Sequence, residues 1–382
     1  MDILSVIVGY RNRDLKRVHY FLNSLNNQTF KNFELIFVDS GTEYELSKKI
    51  ETLVKQYSFC KYLYDDSRGK DFNRSLVLNI GARHASGNYL YFTDIDLIFH
   101  PKYLQHLYSI KNEHHHVYSR VYLVSQSYKA YDNIVDSDII LFSELSHPSG
   151  KGLLMLPKTA FEAIGGYDEY YTDWGVEDND IYRRLCEQGL TEQWTEHEKY
   201  PVYHQWHPSN ERFHEFPEKW LDDISFYYIV NQKNIKRNVN YGQLFKTENR
   251  KLLVVIENQI DIPAIELPST GFNSTKTLYY RTIWQFLNSP DNKYFKVIVP
   301  KYKVPKMSYP QTILAQFFCV VLKVCNSPFS LIYFQKKERY HYFLPEEDIK
   351  WFFRKLVKET HLIKDFYILT NEDKTIYYIE NY

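Results

Sequence analysis

Tyr89-Leu90-Tyr91-Phe92-Thr93-Asp94-Ile95-Asp96 is an apolar run that ends in two carboxylates one residue apart. With Gly87-Asn88 as a turn ahead of it, the run reads as a buried strand. The Asp-x-Asp pair then falls where that strand emerges at the carboxyl edge of a sheet, the edge at which open α/β folds bind ligands. Alternate strand residues share a face, so Asp94 and Asp96 can both reach one ligand there. Hard divalent cations such as manganese or magnesium take oxygen ligands of this kind and share them with phosphate oxygens. Standing alone, the pattern reads more readily as a pair of turn-capping aspartates.

The flanking sequence supplies the rest of such a sheet. Residues 3–8 and 33–38 are short buried-strand runs, the second ending at Asp39 with Gly41 to turn the chain. Helical spacing of apolar residues runs over 14–25, around 50–57 and over 74–85. Strands separated by helices imply a parallel sheet with right-handed crossovers. Further on, residues 117–125 and 152–156 read as strands, 158–164 as a short helix closed by Gly165-Gly166, and 178–188 as a helix ended by Gly189.

A polar, basic stretch over 232–250 marks a composition shift, and a domain boundary is expected near 245. Two domains suit a chain of 382 residues. The first, 1–245, divides into halves of 1–110 and 111–245. The second, 246–382, reads as a smaller α+β domain. It has strand-like runs at 252–256, 295–299 and 330–334, an amphipathic helix over 346–360, and a hairpin of 366–369 with 375–379 turned at 371–374.

Lysine plus arginine and aspartate plus glutamate both number 47, a balance that lacks the basic excess of a general nucleic-acid binder. Cys60, Cys186, Cys319 and Cys325 have neither zinc-site spacing nor the look of a disulfide framework. The first strand begins at residue 3 with no basic leader, and the longest apolar stretch, 317–324, is far short of the roughly 20 residues needed to cross a bilayer. These features lead us to expect a cytoplasmic protein. Lys301, Lys303 and Lys306 ahead of that stretch are compatible with peripheral contact at the inner face of the plasma membrane.

Two more segments bear chemistry. Glu177-Asp178 opens the helix of 178–188, where the helix dipole favours carboxylates. A carboxylate facing an acceptor hydroxyl serves as a general base, while the weaker alternative is a helix cap, for which Asp178 and Asp180 are suitable residues. His204-Gln205-Trp206-His207 offers two imidazoles, which suit manganese better than magnesium. On a strand the two face opposite ways and in a helical turn they are neighbours, so only one of them needs to be a ligand. His114-His115-His116 sits in a polar connection and reads as solvated surface.

Together these segments resemble a known superfamily. Residues 5–8, Asp39, Leu78-Asn79-x-Gly81-Ala82-x-x-Ala85-x-Gly87-x-Tyr89 and the Asp94-x-Asp96 strand look like the nucleotide-sugar half of family 2 glycosyltransferases of GT-A fold. Tyr10-Arg11-Asn12-Arg13, Phe72-Asn73-Arg74 and Gly165-Gly166-Tyr167 through Trp174-Gly-x-Glu177-Asp178-x-Asp180 are similar to β-1,4-galactosyltransferases and the bacterial polymerases that share their C-terminal motif. The resemblance covers roughly residues 1–215. It implies that Tyr10, Arg11, Arg13 and Asp39 contact uracil or ribose, that Asn73 and Arg74 lie near the nucleotide, and that Asp94 sits beside the ribose and metal. It implies further that Asp96 and His207 bind manganese, that Trp174 lines the sugar pocket, that Glu177 holds the acceptor and that Asp178 is the base. Val176 stands where the family usually has a second glycine, and His204 where it has a methionine ligand.

The resulting expectation is an inverting, metal-dependent transfer of galactose, N-acetylgalactosamine or a related hexose. The donor is a UDP-sugar and the acceptor a glycan or lipid-linked glycan in bacterial surface polysaccharide assembly. Two alternatives of other classes are a sugar nucleotidyltransferase, which wants a glycine-rich phosphate loop where 9–13 has one glycine, and a non-catalytic sugar-binding module.

Overall fold

The computed structural model describes residues 3–129, 131, 138–147, 152–172, 176–208, 218–230, 240–258, 260–267, 272–289, 291–301 and 345–382. The chain forms two compact units, one of residues 1–214 with 221–249 and one of 215–220 with 250–382.

The first unit is built on a seven-stranded sheet. Its strands are β1 (Leu4–Tyr10), β2 (Phe33–Ser40), β3 (Cys60–Asp65), β4 (Tyr89–Thr93), β6 (His115–Tyr118), β9 (Leu154–Pro157) and β10 (Thr191–Trp194), in the order β10-β6-β9-β4-β1-β2-β3. β3, β2, β1 and β4 run parallel, and β9 is antiparallel to both β4 and β6. The sheet is mostly parallel, as the alternation of strands and helices implies. Strand order reverses at β1, between β2 and β4, so the crevice outside the carboxyl ends of β1 and β4 is the ligand position for this topology. The loops after those two strands carry Arg11–Arg13 and Asp94–Asp96.

The helices of this unit are α1 (Leu15–Asn26), α2 (Tyr44–Val54), α3 (Arg74–His84), α4 (Tyr103–Ser109), α5 (Lys158–Ala163) and α6 (Glu177–Glu187), with most of α7 (Glu218–Val230). One apolar cluster joins α1, α2 and α4 to one face of the sheet through Phe21, Leu22, Ile50 and Leu104. A second joins α3, α5 and α6 to the other through Val77, Ile80, Phe161 and Ile181. A smaller sheet of β5 (Leu97–Phe99), β7 (Tyr122–Val124), β8 (Ser143–Leu145) and β11 (Val202–His204) has the order β5-β11-β7-β8.

Several sequence expectations are corrected. The second helix starts earlier than expected, at Tyr44, and ends at Val54, and the chain then forms β3. The run expected as one strand over 117–125 is divided between β6 and β7, which lie in different sheets. His116 is no surface residue. It is fully buried on β6, its ring 5.3 Å from that of Tyr118 and 5.5 Å from that of Tyr182. β6 lies inside the sheet, between β10 and β9, and three of its four residues are buried, which a polar sequence context hid.

In the second unit, β12 (Ala264–Glu266), β13 (Tyr294–Pro300), β14 (Ile363–Thr370) and β15 (Lys374–Asn381) form a sheet of order β12-β13-β15-β14. The expected hairpin is β14 with β15, and the amphipathic helix is α10 (Pro345–Glu359). Residues 252–256 are helical instead of extended, within α8 (Lys251–Glu257), and α9 (Phe272–Leu287) was not foreseen. A short apolar run carries too little periodicity to separate the two states. Ile283, Phe295, Val297, Ile349 and Ile379 form the core, where Phe353 stacks on Tyr377 at 4.5 Å. A buried pair, Arg250 Nε to Asp365 Oδ2 at 3.0 Å, joins α8's start to β14. The expected strand at 330–334 lies outside the described residues.

Gly87 shows how closely the first sheet is built. Its N–H donates to Ser5 Oγ at 2.9 Å, and a Cβ there would overlap the carbonyl oxygen of Ile3 and stand 2.7 Å from Ser5 Oγ. Gly87→Ala is therefore expected to lower stability by about 1–3 kcal/mol, the usual cost of overpacking. A melting curve with an unchanged midpoint would show that the β1–β4 entrance is looser than described.

Candidate active site

The acidic and imidazole groups gather at the carboxyl edge of the large sheet. β4 ends at Thr93, and the turn after it sends its two aspartates to different partners. Asp96 is buried and faces the end of β11, with His204 Nε2 at 3.5 Å and His207 Nε2 at 3.4 Å from its Oδ2. One ligand atom from each of the three lies within 4.8 Å of the others. Antiparallel pairing of β5 with β11, His204 opposite Leu97, brings His204 beside the Asp94–Asp96 turn. Gln205 N donates to the carbonyl of Asp96 at 2.8 Å and locks the two loops together.

Burial works to raise the Asp96 pKa, but the hydrogen bond from His207 and the charges of His204, His207 and Arg17 outweigh it and hold the group down at about 2. The hydrogen bond to Asp96 likewise raises His207 above the usual imidazole range. Asp96 Oδ1 is buried and has no hydrogen-bond partner among the described residues. An orphaned carboxylate oxygen beside two imidazoles is a donor set that fits a divalent cation of the first transition row. Both histidines converge, so the geometry offers three ligands where the sequence required two.

Asp94 turns instead to Arg74, at the first turn of α3. Arg74 Nη2 donates to Asp94 Oδ1 at 3.2 Å and to the Gly152 carbonyl at 2.9 Å, and Nη1 donates to Asp178 Oδ1 at 3.0 Å. Glu177 Oε1 is 4.0 Å from the same Nη1. Burial disfavours the Arg74 charge, yet Asp94 and Asp178 hold its pKa well above the usual value. A Cβ at Gly152 would stand 3.6 Å from Oδ2 of both Asp94 and Asp178. Those two outer oxygens therefore border one space that the missing side chain leaves open.

Glu177 and Asp178 open α6, and the third acid of the segment has a structural task. Asp180 is fully buried, with Arg184 Nη2 at 2.7 Å and Arg183 Nη2 at 3.0 Å. Arg184 also donates to the carbonyls of Ile164 and Gly166, which fixes α6 against the Gly165-Gly166 turn. Asn79 of α3 anchors the same turn, donating to Tyr167 O at 2.9 Å and accepting from Tyr167 N at 2.9 Å. Val176, just ahead of α6, has φ 49° and ψ −7°, a left-handed conformation that costs a β-branched residue about 1–3 kcal/mol.

The remaining expected residues divide between pocket and scaffold. Asp39 is fully buried at the end of β2, accepts from Tyr62 Oη at 2.8 Å and Thr42 N at 3.3 Å, and is pushed up to about 6 by burial. Arg11 donates to the carbonyls of Ser40, Lys70 (2.7 Å) and Ser67 (3.3 Å), so it braces the walls of the crevice. Tyr10 is a core residue whose hydroxyl donates to Arg13 O at 2.6 Å. Asn73 caps α3, accepting from Leu76 N and donating to Glu169 O, both at 2.9 Å. Trp174 lies outside the described residues. Sequence reading missed Tyr62, Gly152 and Arg17. The alternating aromatics of Cys60-Lys-Tyr-Leu-Tyr-Asp65 were the available sign for the first, and nothing marked the other two.

Residues 5–159 match the family model of glycosyl transferase family 2, and residues 143–208 match that of the N-terminal domain of galactosyltransferase. Both matches fall within the first unit, whose large sheet is thus similar to that of glycosyltransferases. The two matches meet in the stretch that holds Gly152, between the loop of Asp94 and the helix of Asp178. Mouse (Mus musculus) β-1,4-galactosyltransferase 1 is 29% identical over 141 residues, 36% of this chain and 31% of that protein. The bovine (Bos taurus) protein is 28% identical over the same shares. The chain thus aligns to about a third of the length of these curated relatives. Similar solved structures include S. aureus TarS, at 18% identity and TM-score 0.43 over 63% of this chain and 41% of that one. Another is TarS 1-349 in complex with UDP-GlcNAc, at 16% identity and TM-score 0.46 over 62% of this chain and 68% of that one.

Burial, aided by the neighbouring Asp178 charge and opposed by Arg74, pushes Glu177 up to about 7. A carboxyl with a folded pKa above its unfolded value holds its proton more tightly when folded. Its contribution to stability is present below the ordinary glutamate range and is lost as pH rises to about 7. Glu177→Gln keeps the neutral form at every pH. The variant is expected to match the parent at pH 4 and to exceed it at pH 8 by about 1–3 kcal/mol. Urea titrations at the two pH values check this, and equal differences at both would remove Glu177 from the titrating group.

Proposed function

We propose that this chain is an inverting, metal-dependent hexosyltransferase that moves galactose, N-acetylgalactosamine or a related sugar from a UDP-sugar to a glycan hydroxyl. The observation that carries the reading is the meeting of two groups at one sheet edge: the Asp96–His204–His207 cluster, and the Asp94–Arg74–Asp178 chain beside it. Transfer of a sugar from a nucleotide diphosphate needs charge neutralisation on one side of the anomeric carbon and a base on the other. Neither a nucleotidyltransferase nor a non-catalytic binding module accounts for a glycosyltransferase match that spans both groups.

Asp96, His204 and His207 would hold the cation, with manganese favoured over magnesium by the two imidazoles. When bound, such an ion neutralises developing charge on the leaving diphosphate. Asp39, with Tyr62 behind it, sits where it can receive the uridine, and the Arg11 brace shapes that wall; Arg13 lies on the same loop. Asp178 Oδ2 takes the proton from the acceptor hydroxyl as its oxygen forms a bond to the anomeric carbon. The bond from that carbon to the phosphate oxygen breaks on the opposite face, and its electron pair leaves with UDP. Arg74 fixes Asp178 by its other oxygen, so Oδ2 keeps its orientation toward the space over Gly152. Glu177, near its midpoint at neutral pH, can donate a hydrogen bond to the acceptor sugar as well as accept one.

The role in bacterial surface polysaccharide assembly, with a glycan or lipid-linked glycan acceptor, is part of this reading. Among the described residues no helix is long and apolar enough to cross a membrane. Lys301 is the last described residue before 345, so the basic segment proposed for peripheral contact with the inner membrane lies largely outside them.

Base and cation cluster are separable by substitution. Asp178→Asn is expected to lower transfer by a hundred-fold or more, the usual weight of a general base, while UDP affinity in manganese stays within about threefold. Asp96→Ala and His207→Ala are expected to abolish manganese binding along with turnover. Calorimetry with manganese and UDP, alongside initial rates, reads both. Full activity of Asp96→Ala in chelator-treated buffer rules out the cation cluster, and an unaffected rate in Asp178→Asn removes that residue from the chemistry.

A further inference from the structure

We propose that Arg17 is a donor-binding residue that contacts the diphosphate of the nucleotide donor beside the Asp96–His204–His207 cluster. The inference rests on the donor reading given above and assigns a role to a side chain outside every segment discussed there.

Three observations locate Arg17. α1 packs against β5 and β11, with Tyr20 in one apolar cluster with Ile98 and Tyr203. Arg17 lies three residues earlier on the same helical face, toward the end at which Asp96 and His204 stand. Its carbonyl accepts from Gln205 Nε2 at 3.2 Å, and Gln205 N donates to the carbonyl of Asp96 at 2.8 Å, so one buried residue ties α1 to the cluster. The Arg17 charge acts on both Asp96 and His207, so the guanidinium stands within electrostatic reach of the cluster. The side chain is 14% exposed, and its ion pair with Asp14, at 3.5 Å, is to a carboxylate 58% exposed, which water weakens.

Charge balance then identifies the ligand class. A guanidinium beside a divalent cation repels it, so Arg17 makes the cluster a poorer site for a bare ion. Asp96, a divalent cation and Arg17 together leave two positive charges, which a diphosphate offsets. The cluster is thus matched to the cation–diphosphate pair rather than to the cation. Arginine also suits phosphate geometry, since its planar fork donates to two oxygens at once.

Removing the charge should move two affinities in opposite directions, which no loss of packing would do. With the full chain, calorimetry is run with manganese alone, then with UDP and with inorganic pyrophosphate in saturating manganese. Arg17→Gln is expected to bind manganese alone about threefold more tightly and to bind UDP and pyrophosphate about tenfold more weakly. Arg17→Lys keeps the charge and is expected to restore most of both. A tenfold rise in donor KM with kcat nearly kept is the matching kinetic result. If wild type binds UDP with manganese and Arg17→Gln binds both as wild type does, Arg17 has no part in the diphosphate site. If both affinities of Arg17→Gln fall together, its role is structural and the inference is overturned. If the wild-type protein itself binds neither UDP nor pyrophosphate with manganese, the donor reading falls and this inference with it.

Discussion

One guanidinium lies among carboxylates drawn from separate parts of the fold. Arg74 projects from the start of α3 to Asp94 after β4, and to Asp178 and Glu177 at the start of α6. Desolvating a cation at 16% exposure is costly, and only the surrounding acids offset it. Those acids in turn repel one another without it. Arg74 is the member that depends most on the others, since Asp94 and Asp178 keep 46% and 30% of their side-chain surface exposed against its own 16%. Lower on the same helix, Asn79 holds the Gly165–Tyr167 turn by two hydrogen bonds, and Gly81 lets α3 lie close against Ile7 of β1. α3 is therefore the element through which the parallel half of the sheet and the later, less regular half share one site.

Burial gives the site its chemical range. The same sheet edge holds Asp96 near pKa 2, Asp39 near 6 and Glu177 near 7. The first has two imidazoles in reach, the second a phenol and a backbone amide, and the third a neighbouring acid with a distant guanidinium. Carboxyl groups thus acquire different proton affinities from burial and from the partners that oppose or reinforce it. Three carboxylates at one sheet edge can therefore differ in charge at the same pH.

The mostly parallel sheet was legible because period and punctuation agree along β1, β2, α3 and β4. The ends of these elements, where Asp39, Arg74 and Asp94 sit, followed with them. Legibility failed where tertiary contact overrides local pattern. His116 looks solvated in sequence and is buried because β6 lies inside the sheet, and residues 252–256 look extended but belong to α8. Among site residues, Asp96, His204, His207, Glu177 and Asp178 were visible as residue types suited to a chemistry. Their division into a cation cluster and an Arg74-linked group was not, because it depends on how the Asp94–Asp96 turn splays its two side chains. Asn73 and Tyr10 show the reverse case. Both stand in motif positions, and beyond the motif one also caps a helix and the other packs in the core.

Val176 has a consequence for heat. Its left-handed backbone persists while the first turn of α6 holds it, through Asp180 N to Val176 O at 2.8 Å and through the Asp180–Arg184 pair. Fraying that single turn releases the strain, so this opening is easier than it would be after a glycine. Glu177 and Asp178 lie within the turn that frays and take their contacts to Arg74 with them, whereas the strand pairings of the seven-stranded sheet do not pass through it. These two carboxylates accordingly lose their placement below the temperature at which the domain melts, while the sheet and the Asp96–His204–His207 cluster remain.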